Sequence, residues 1–428
     1  MLTSRRGERP GGSLGAADAI ITHMAALPPV EQLELLKRGT VEIVTPEALL
    51  SKLALARPLR VKLGLDPTAP DIHIGNAIVL QKLRQFQDLG HEAILVIGDF
   101  TALIGDPSGK SETRPALSPA QIEQNAHTYR DQYGLILDPA RTRVVFNSEW
   151  LAGMRFHDVI KLASRTTVHR ILERDDFAKR YAERAPIHLH ELLYPLCQAY
   201  DSVAIQADVE LGGTDQKFNN LMGRELQREV GQEPQVVVLT PLLPGLDGVQ
   251  KMSKSLGNAI GVTEPPNDMY GKVMSLPDEL MIPYFEYCTL VPLPTVREIE
   301  ADLRDGRAHP RDVKKRLSWE ITARYHGEAA AREAEGEFER VFGSRMLPQE
   351  IPEVALSRDV VQGGRVRLVR LLVALGLAAS SAAARRLIGQ GGVSLDRTRV
   401  LEDLDVPVRD GMLVQVGRRH FARVRLGG

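Results

Sequence analysis

The stretch Lys62–Asn76, KLGLDPTAPDIHIGN, constrains this chain more than any other. An apolar run (Val61, Leu63, Leu65) stops at Asp66-Pro67-Thr68. A proline-punctuated turn follows, and His73-Ile74-Gly75-Asn76 then opens a helical pattern. The spacing predicts a strand, a polar turn and a helix N-terminus. The first N–H groups of a helix lack intrahelical partners and its dipole favours negative charge, so such a turn suits an anion.

Strands and helices alternate beyond it. Apolar or alternating runs predict strands at Arg60–Leu65, His91–Gly98, Arg143–Phe146, Asp208–Leu211 and Gln235–Leu239. The continuous run HEAILVIG suits a strand buried on both faces. Helical spacing marks Ala77–Leu89, with Ile78, Leu80, Leu83 and Phe86 on one side, and residues 155–173, 188–206 and 216–230. The pattern predicts an α/β fold with a doubly wound, Rossmann-like parallel sheet. Residues 26–57 read as helical. After Glu264-Pro265-Pro266 the pattern is almost purely helical to about residue 340. Residues 343–363 carry two prolines and two glycines and read as a linker. The expected divisions are a disordered tail (1–25), a Rossmann-like domain (26–264) with a helical insertion near 150–185, a helical domain (265–342), and a small α+β domain (364–428).

Net charge separates the two ends. From Val361 onward there are twelve arginines, no lysine and five acids, a net +7 that leaves −8 for the rest. A basic module on an acidic body suits a polyanion partner. Hydrophobic content of 43% is ordinary for a globular chain, and no apolar run is long enough to span a membrane. The two cysteines, Cys197 and Cys288, lack metal-ligand spacing. They suit a reducing compartment, so a cytoplasmic location is expected.

Ligands of a doubly wound sheet sit beyond the carboxyl ends of its strands. Three polar loops leave such ends: Asp66–Asn76, Thr101–Lys110 (TALIGDPSGK) and Gly212–Gln216 (GGTDQ). Together they bring Asp66, His73, Thr101, Asp106, Lys110, Asp215 and Gln216 to one crevice. Lys251-Met252-Ser253-Lys254-Ser255 follows the last predicted strand. A solvated basic loop is one reading of that pentad. Its position favours another, in which two lysines reach over the crevice and neutralise a polyphosphate. There is neither a G-x-x-x-x-G-K-S/T nor a G-x-G-x-x-G, which argues against P-loop NTPases and dehydrogenases.

An HIGN tetrad paired with a KMSKS loop resembles the double signature of class I aminoacyl-tRNA synthetases. The strings LGLDPTAPDIHIGN, IGDPSGK, LGGTDQ and YPLCQAYD are similar to those of the bacterial tyrosyl-tRNA synthetase family. In the last string Tyr194, Gln198 and Asp201 fall on one helix face. The resemblance implies a tyrosine–tRNA ligase. L-Tyrosine would react with ATP to give tyrosyl-adenylate, and tyrosine would pass to the terminal adenosine of tRNA(Tyr). Asp201 would accept the tyrosine hydroxyl, Tyr194, Gln198 and Asp106 would hold its ammonium, and Gln216 would lie near its carboxylate. Gly64, Asp66, Gly75, Asp215 and Lys254 would line the ATP and ribose site. His73, Asn76, Lys110, Lys251, Lys254 and Ser255 would serve the phosphates. Magnesium is expected with ATP, with no protein-held metal. Two departures stand out: Asn76 where the family often has a second histidine, and Lys62 where many members have a tyrosine that contacts the substrate hydroxyl. Tryptophanyl-tRNA synthetase and a non-catalytic RNA-binding relative are the alternatives. Residues 364–428 resemble a small RNA-binding fold, with Arg385 and Arg386 facing RNA. The family also implies a homodimer joined near the helical insertion.

Overall fold

The predicted strand–turn–helix unit sits inside a six-stranded sheet. The computed structural model describes residues 27–428 except 56, 67–70, 108–120, 122–127, 129–131, 344–350, 358–359, 362, 397, 418–419 and 427–428. The expected tail and Lys110 therefore lie outside the described residues. The strands are β1 (Glu42–Val44), β2 (Arg60–Leu65), β3 (Glu92–Ile97), β4 (Thr142–Phe146), β5 (Val209–Gly213) and β6 (Val236–Thr240). Their order is β1-β6-β5-β2-β3-β4. β2 through β6 pair in parallel, while β1 is antiparallel to β6. The chain fills one side of β2 with β3 and β4, then returns to its other side with β5 and β6. The winding direction reverses between β2 and β5, which is where a crevice opens in such sheets.

Helix α1 (Ile74–Asp88) buries the four apolar positions expected of it, Ile78, Leu80, Leu83 and Phe86. Gly90 ends its exit turn at φ +86°, a left-handed value that glycine takes without strain. Helices α2 (Tyr194–Ala204) and α3 (Lys217–Glu229) pack on each other over β5 and β6.

Three local expectations change. The segment 26–57 is not all helix, because β1 lies between helices Pro29–Lys37 and Pro46–Leu53. Three residues are too few to show a period of two, and the strand exists because β6 offers it an edge. The predicted helix 155–173 breaks into Phe156–Ala163 and Val168–Leu172, where the Thr167 hydroxyl caps the second by accepting from Arg170 N at 3.1 Å. Within the expected linker, Glu353–Leu356 forms a strand paired with His420–Leu426.

The described residues form two compact units, divided between residues 331 and 332. In the first, one apolar core runs from Leu33 through the sheet to Ile299, Leu317 and Tyr325, so the helices after Pro266 share the core of the sheet. The second unit has its own core, including Leu368, Leu372, Ile388, Val414 and Val424, beneath a five-stranded sheet. No helix among the described residues is long and apolar enough to cross a membrane.

Candidate active site

The opening turn delivers His73 as the N-cap of α1. Its Nδ1 accepts from Asn76 N at 3.2 Å, and Asn76 Oδ1 accepts from His73 N at 3.3 Å. This reciprocal box satisfies two otherwise orphaned donors. Burial, then the charges of Lys251 and Lys254, push the His73 imidazole down to about 4, so it is neutral at pH 7. With Nδ1 accepting, its proton sits on Nε2, leaving a neutral donor. Gly75 keeps this ring in place, since a Cβ there would lie 3.1 Å from His73 Nδ1 and 3.4 Å from Met252 Cβ.

The KMSKS loop follows β6 and lies beside that helix end. Met252 is its buried anchor. Asn258 Oδ1 accepts from Ser253 N at 2.8 Å, and the Ser253 and Ser255 hydroxyls pair at 2.9 Å. Lys251 reaches Asp215 at 2.5 Å, and Lys254 pairs with Asp71 on the opening turn. Both predicted lysines thus face the crevice, each held by an acid of the opposing loops. Gly64 is exposed near the end of β2, and a Cβ there would meet nothing within 4 Å among the described residues, which leaves room for close approach to the backbone.

Deeper in, the polar residues of four segments converge. Asp66 accepts from Thr101 Oγ1 and from Tyr194 OH, both at 2.8 Å. Burial, and next the charge of Asp106, push the Asp66 carboxyl up to about 7. Asp106 accepts from Gln216 Nε2 at 3.0 Å and from the buried Arg174 guanidinium at 3.3 Å. The Gln198 and Asn220 side-chain amides meet at 3.1 Å, and the other end of the Gln198 amide is buried in the crevice. Asp201, 3% exposed, accepts from Trp150 Nε1 at 2.8 Å and Asn147 Nδ2 at 3.4 Å. Burial raises its carboxyl to about 6 against the opposing charge of Lys62.

The structure brings Tyr194, Asp106, Gln216, Gln198 and Asp201 together, and it sets Asp66, expected among the ATP and ribose residues, against Tyr194 and Thr101 instead. Sequence reasoning missed Arg174, Trp150, Asn147, Asp71 and Gly98. A Cβ at Gly98 would fall on Asp66 Oδ1 and Thr101 Oγ1, so only glycine fits there. The glycine at the end of HEAILVIG was the available signal for that position. Arg174 and Trp150 carry none, because their partners are distant in sequence. In the second unit, Arg385 and Arg386 are exposed on the helix Ser381–Gly389.

The chain and its fold have clear counterparts. The family model for tRNA synthetases class I (W and Y) matches residues 54–343. A tyrosine–tRNA ligase of Moorella thermoacetica is 59% identical over 398 residues, covering 92% of this chain and 95% of that protein. One from Thermotoga maritima is 51% identical over 93% of this chain and 98% of its own length. The crystal structure of an Archaeoglobus fulgidus tyrosyl-tRNA synthetase with L-tyrosine superposes with a TM-score of 0.59, at 26% identity. It covers 72% of this chain and 100% of that one.

Proposed function

The chain belongs to the class I tyrosyl-tRNA synthetases, and from that membership we infer how its crevice works. It is a tyrosine–tRNA ligase that uses ATP as substrate. The observation that best supports the residue roles is the pairing of a phosphate-facing rim (His73, Lys251, Lys254) with an acid-lined pocket ending in buried Asp201.

Tyrosine enters with its phenol toward Asp201. Its ammonium lies among Asp66, Asp106, Tyr194 and the Gln198 side-chain oxygen. Gln216 meets the carboxylate side, and Asp215 takes the ribose. A tyrosine carboxylate oxygen attacks the α-phosphorus as the bond to pyrophosphate breaks. The carboxylate is already a nucleophile, so catalysis is positioning plus charge stabilisation. His73 Nε2–H and Asn76 donate to phosphate oxygens. Lys251, Lys254, Lys110 and the Ser255 hydroxyl supply charge and hydrogen bonds as negative charge migrates outward. The 2′-hydroxyl of the terminal tRNA adenosine then attacks the acyl carbon and AMP leaves. Magnesium carried in with ATP would add positive charge to that supplied by the lysines. ATP–pyrophosphate exchange with tyrosine and, separately, tryptophan tests this reading. Exchange supported by tryptophan as well as by tyrosine would overturn the pocket assignment.

Assembly and RNA binding belong to the same proposal. Phe156 (79% exposed) and Ile160 (55%) stand one turn apart on the insertion helix Phe156–Ala163. An apolar stripe of this kind needs a cover, and a second copy of the chain supplies it. Sedimentation equilibrium is expected to give a dimer mass that Phe156→Asp reduces to the monomer. A wild-type monomer at micromolar concentration would refute it. Residues 265–342 and 364–428 are assigned to tRNA. Replacing Arg385 and Arg386 by alanine is expected to weaken tRNA binding and flatten its salt dependence, by roughly one unit of slope for each phosphate no longer neutralised. An unchanged salt slope would clear both arginines of the role. The free thiols Cys197 and Cys288 agree with a cytoplasmic setting.

A further inference from the structure

Lys62 points into the interior of the fold, where the structure gives it three acceptors. It lies opposite Glu210 in the β2–β5 pairing, at the reversal point of the sheet. Its side chain is wholly buried, and so nearly is that of Glu210 (0% and 2% exposed). Lys62 Nζ donates to Glu210 Oε1 at 2.8 Å, to Ser202 Oγ at 2.9 Å and to the Gln198 carbonyl at 3.0 Å. Ser202 Oγ closes the ring by donating to Glu210 Oε2 at 3.2 Å, and Gln235 Nε2 also donates to that oxygen. Every proton of the ammonium is used. Two of its acceptors, Gln198 and Ser202, flank Asp201 on α2.

Stability does not explain this arrangement. A buried ion pair adds little net stability over well-packed apolar residues, because desolvation offsets its attraction. Its location does explain it. Asp201 is buried, receives two hydrogen bonds from neutral donors, Trp150 and Asn147, and has Lys62 as an opposing positive charge. Glu210 acts on it in the other direction, and Cys197 and Asp66 are the further titratable groups coupled to it.

We propose that Lys62, closed by Glu210, is the positioning residue of Asp201: it pins the Gln198–Ser202 turn and supplies the charge that balances the buried carboxylate. Preference for tyrosine over phenylalanine then depends on a pair that never touches the substrate. The inference rests on the reading that Asp201 accepts the tyrosine hydroxyl.

The sign follows from the charges. Asp201 is ionised above about pH 6, so kcat/KM for tyrosine falls as pH drops through that value. Removing Lys62 makes ionisation harder and moves the fall to higher pH. Removing the Glu210 charge moves it lower. Asp66, pushed to about 7, titrates in the same range, but it responds to Asp106 and Asp201. Its part of the profile is isolated in Asp201→Asn.

The test is ATP–pyrophosphate exchange on the full chain, as pH profiles of kcat/KM for tyrosine and as the tyrosine-to-phenylalanine ratio. Lys62→Met is expected to move the acid limb up by about one unit. It should also lower the ratio at pH 7 by about twofold, as the ionised fraction of Asp201 drops from about nine-tenths to about one half, with recovery at higher pH. Glu210→Gln, which keeps an acceptor for Lys62, is expected to move the limb down. General loosening of the pocket would not give opposite shifts. An unmoved limb in Lys62→Met, or shifts of the same sign, overturns the proposal. If Lys62→Met does not fold, Glu210→Gln decides alone: a downward shift supports the proposal and any other result overturns it. A ratio unchanged in Asp201→Asn would instead overturn the Asp201 assignment and this inference with it. A ratio that collapses there, beside an unmoved limb in Lys62→Met, overturns this inference alone.

Discussion

Lys254→Ala is expected to slow tyrosyl-adenylate formation by about 10²–10³-fold while leaving the tyrosine dissociation constant within about twofold. Lys254 sits on the loop after β6, apart from the polar residues around Asp201, and pairs with Asp71 across the crevice. Nucleotide phosphates carry more charge than that carboxylate, so ATP is expected to displace Asp71 as its partner. The gain is greatest when charge builds on the departing pyrophosphate, and such an interaction raises the rate rather than ground-state affinity. Stopped-flow fluorescence of adenylate formation, with equilibrium dialysis of tyrosine, measures both quantities. An unchanged rate would remove Lys254 from the phosphate site.

Asp201→Asn is expected to lower the tyrosine-over-phenylalanine ratio of kcat/KM by roughly 10- to 100-fold, the worth of a charge-assisted hydrogen bond of about 1.5–3 kcal/mol. A pocket built to bond a hydroxyl rejects the analogue lacking it, because a buried group is left unpaired. Tyrosyl-tRNA synthetase is itself the standing example of that rule. Here the acceptor is 3% exposed. Asparagine keeps an oxygen for Trp150 Nε1 but turns an NH₂ toward the Asn147 NH₂, so the pocket loses its charge and sets two donors against each other. Parallel kcat/KM determinations for the two amino acids settle the matter, and a ratio equal to wild type would show that another group reads the hydroxyl.

Parts of this site were legible before any coordinates. His73 and Asn76 form a local capping box, and sequence shows such a box because its members lie within one turn. Tyr194, Gln198 and Asp201 were placed on one face by helical spacing alone. β1 was not legible, because three residues show no period and their strand state depends on β6. Arg174 and Trp150 were silent for a related reason: Asp106 and Asp201, their partners, arrive from other elements.

Lys62 marks the boundary most clearly. The sequence by itself determined the strand–turn–helix unit, the parallel sheet and the HIGN and KMSKS motifs that flank the crevice. These rest on local periodicity, capping and turn geometry. Whether Lys62 turned outward or met an acid was decided by tertiary structure. Only the pairing of β2 with β5 sets it against Glu210, and only the packing of α2 over those strands buries the pair beneath Asp201. A charge in a buried site is governed by what surrounds it, and those surroundings come from residues about 140–150 positions away in the chain, beyond the reach of local sequence rules.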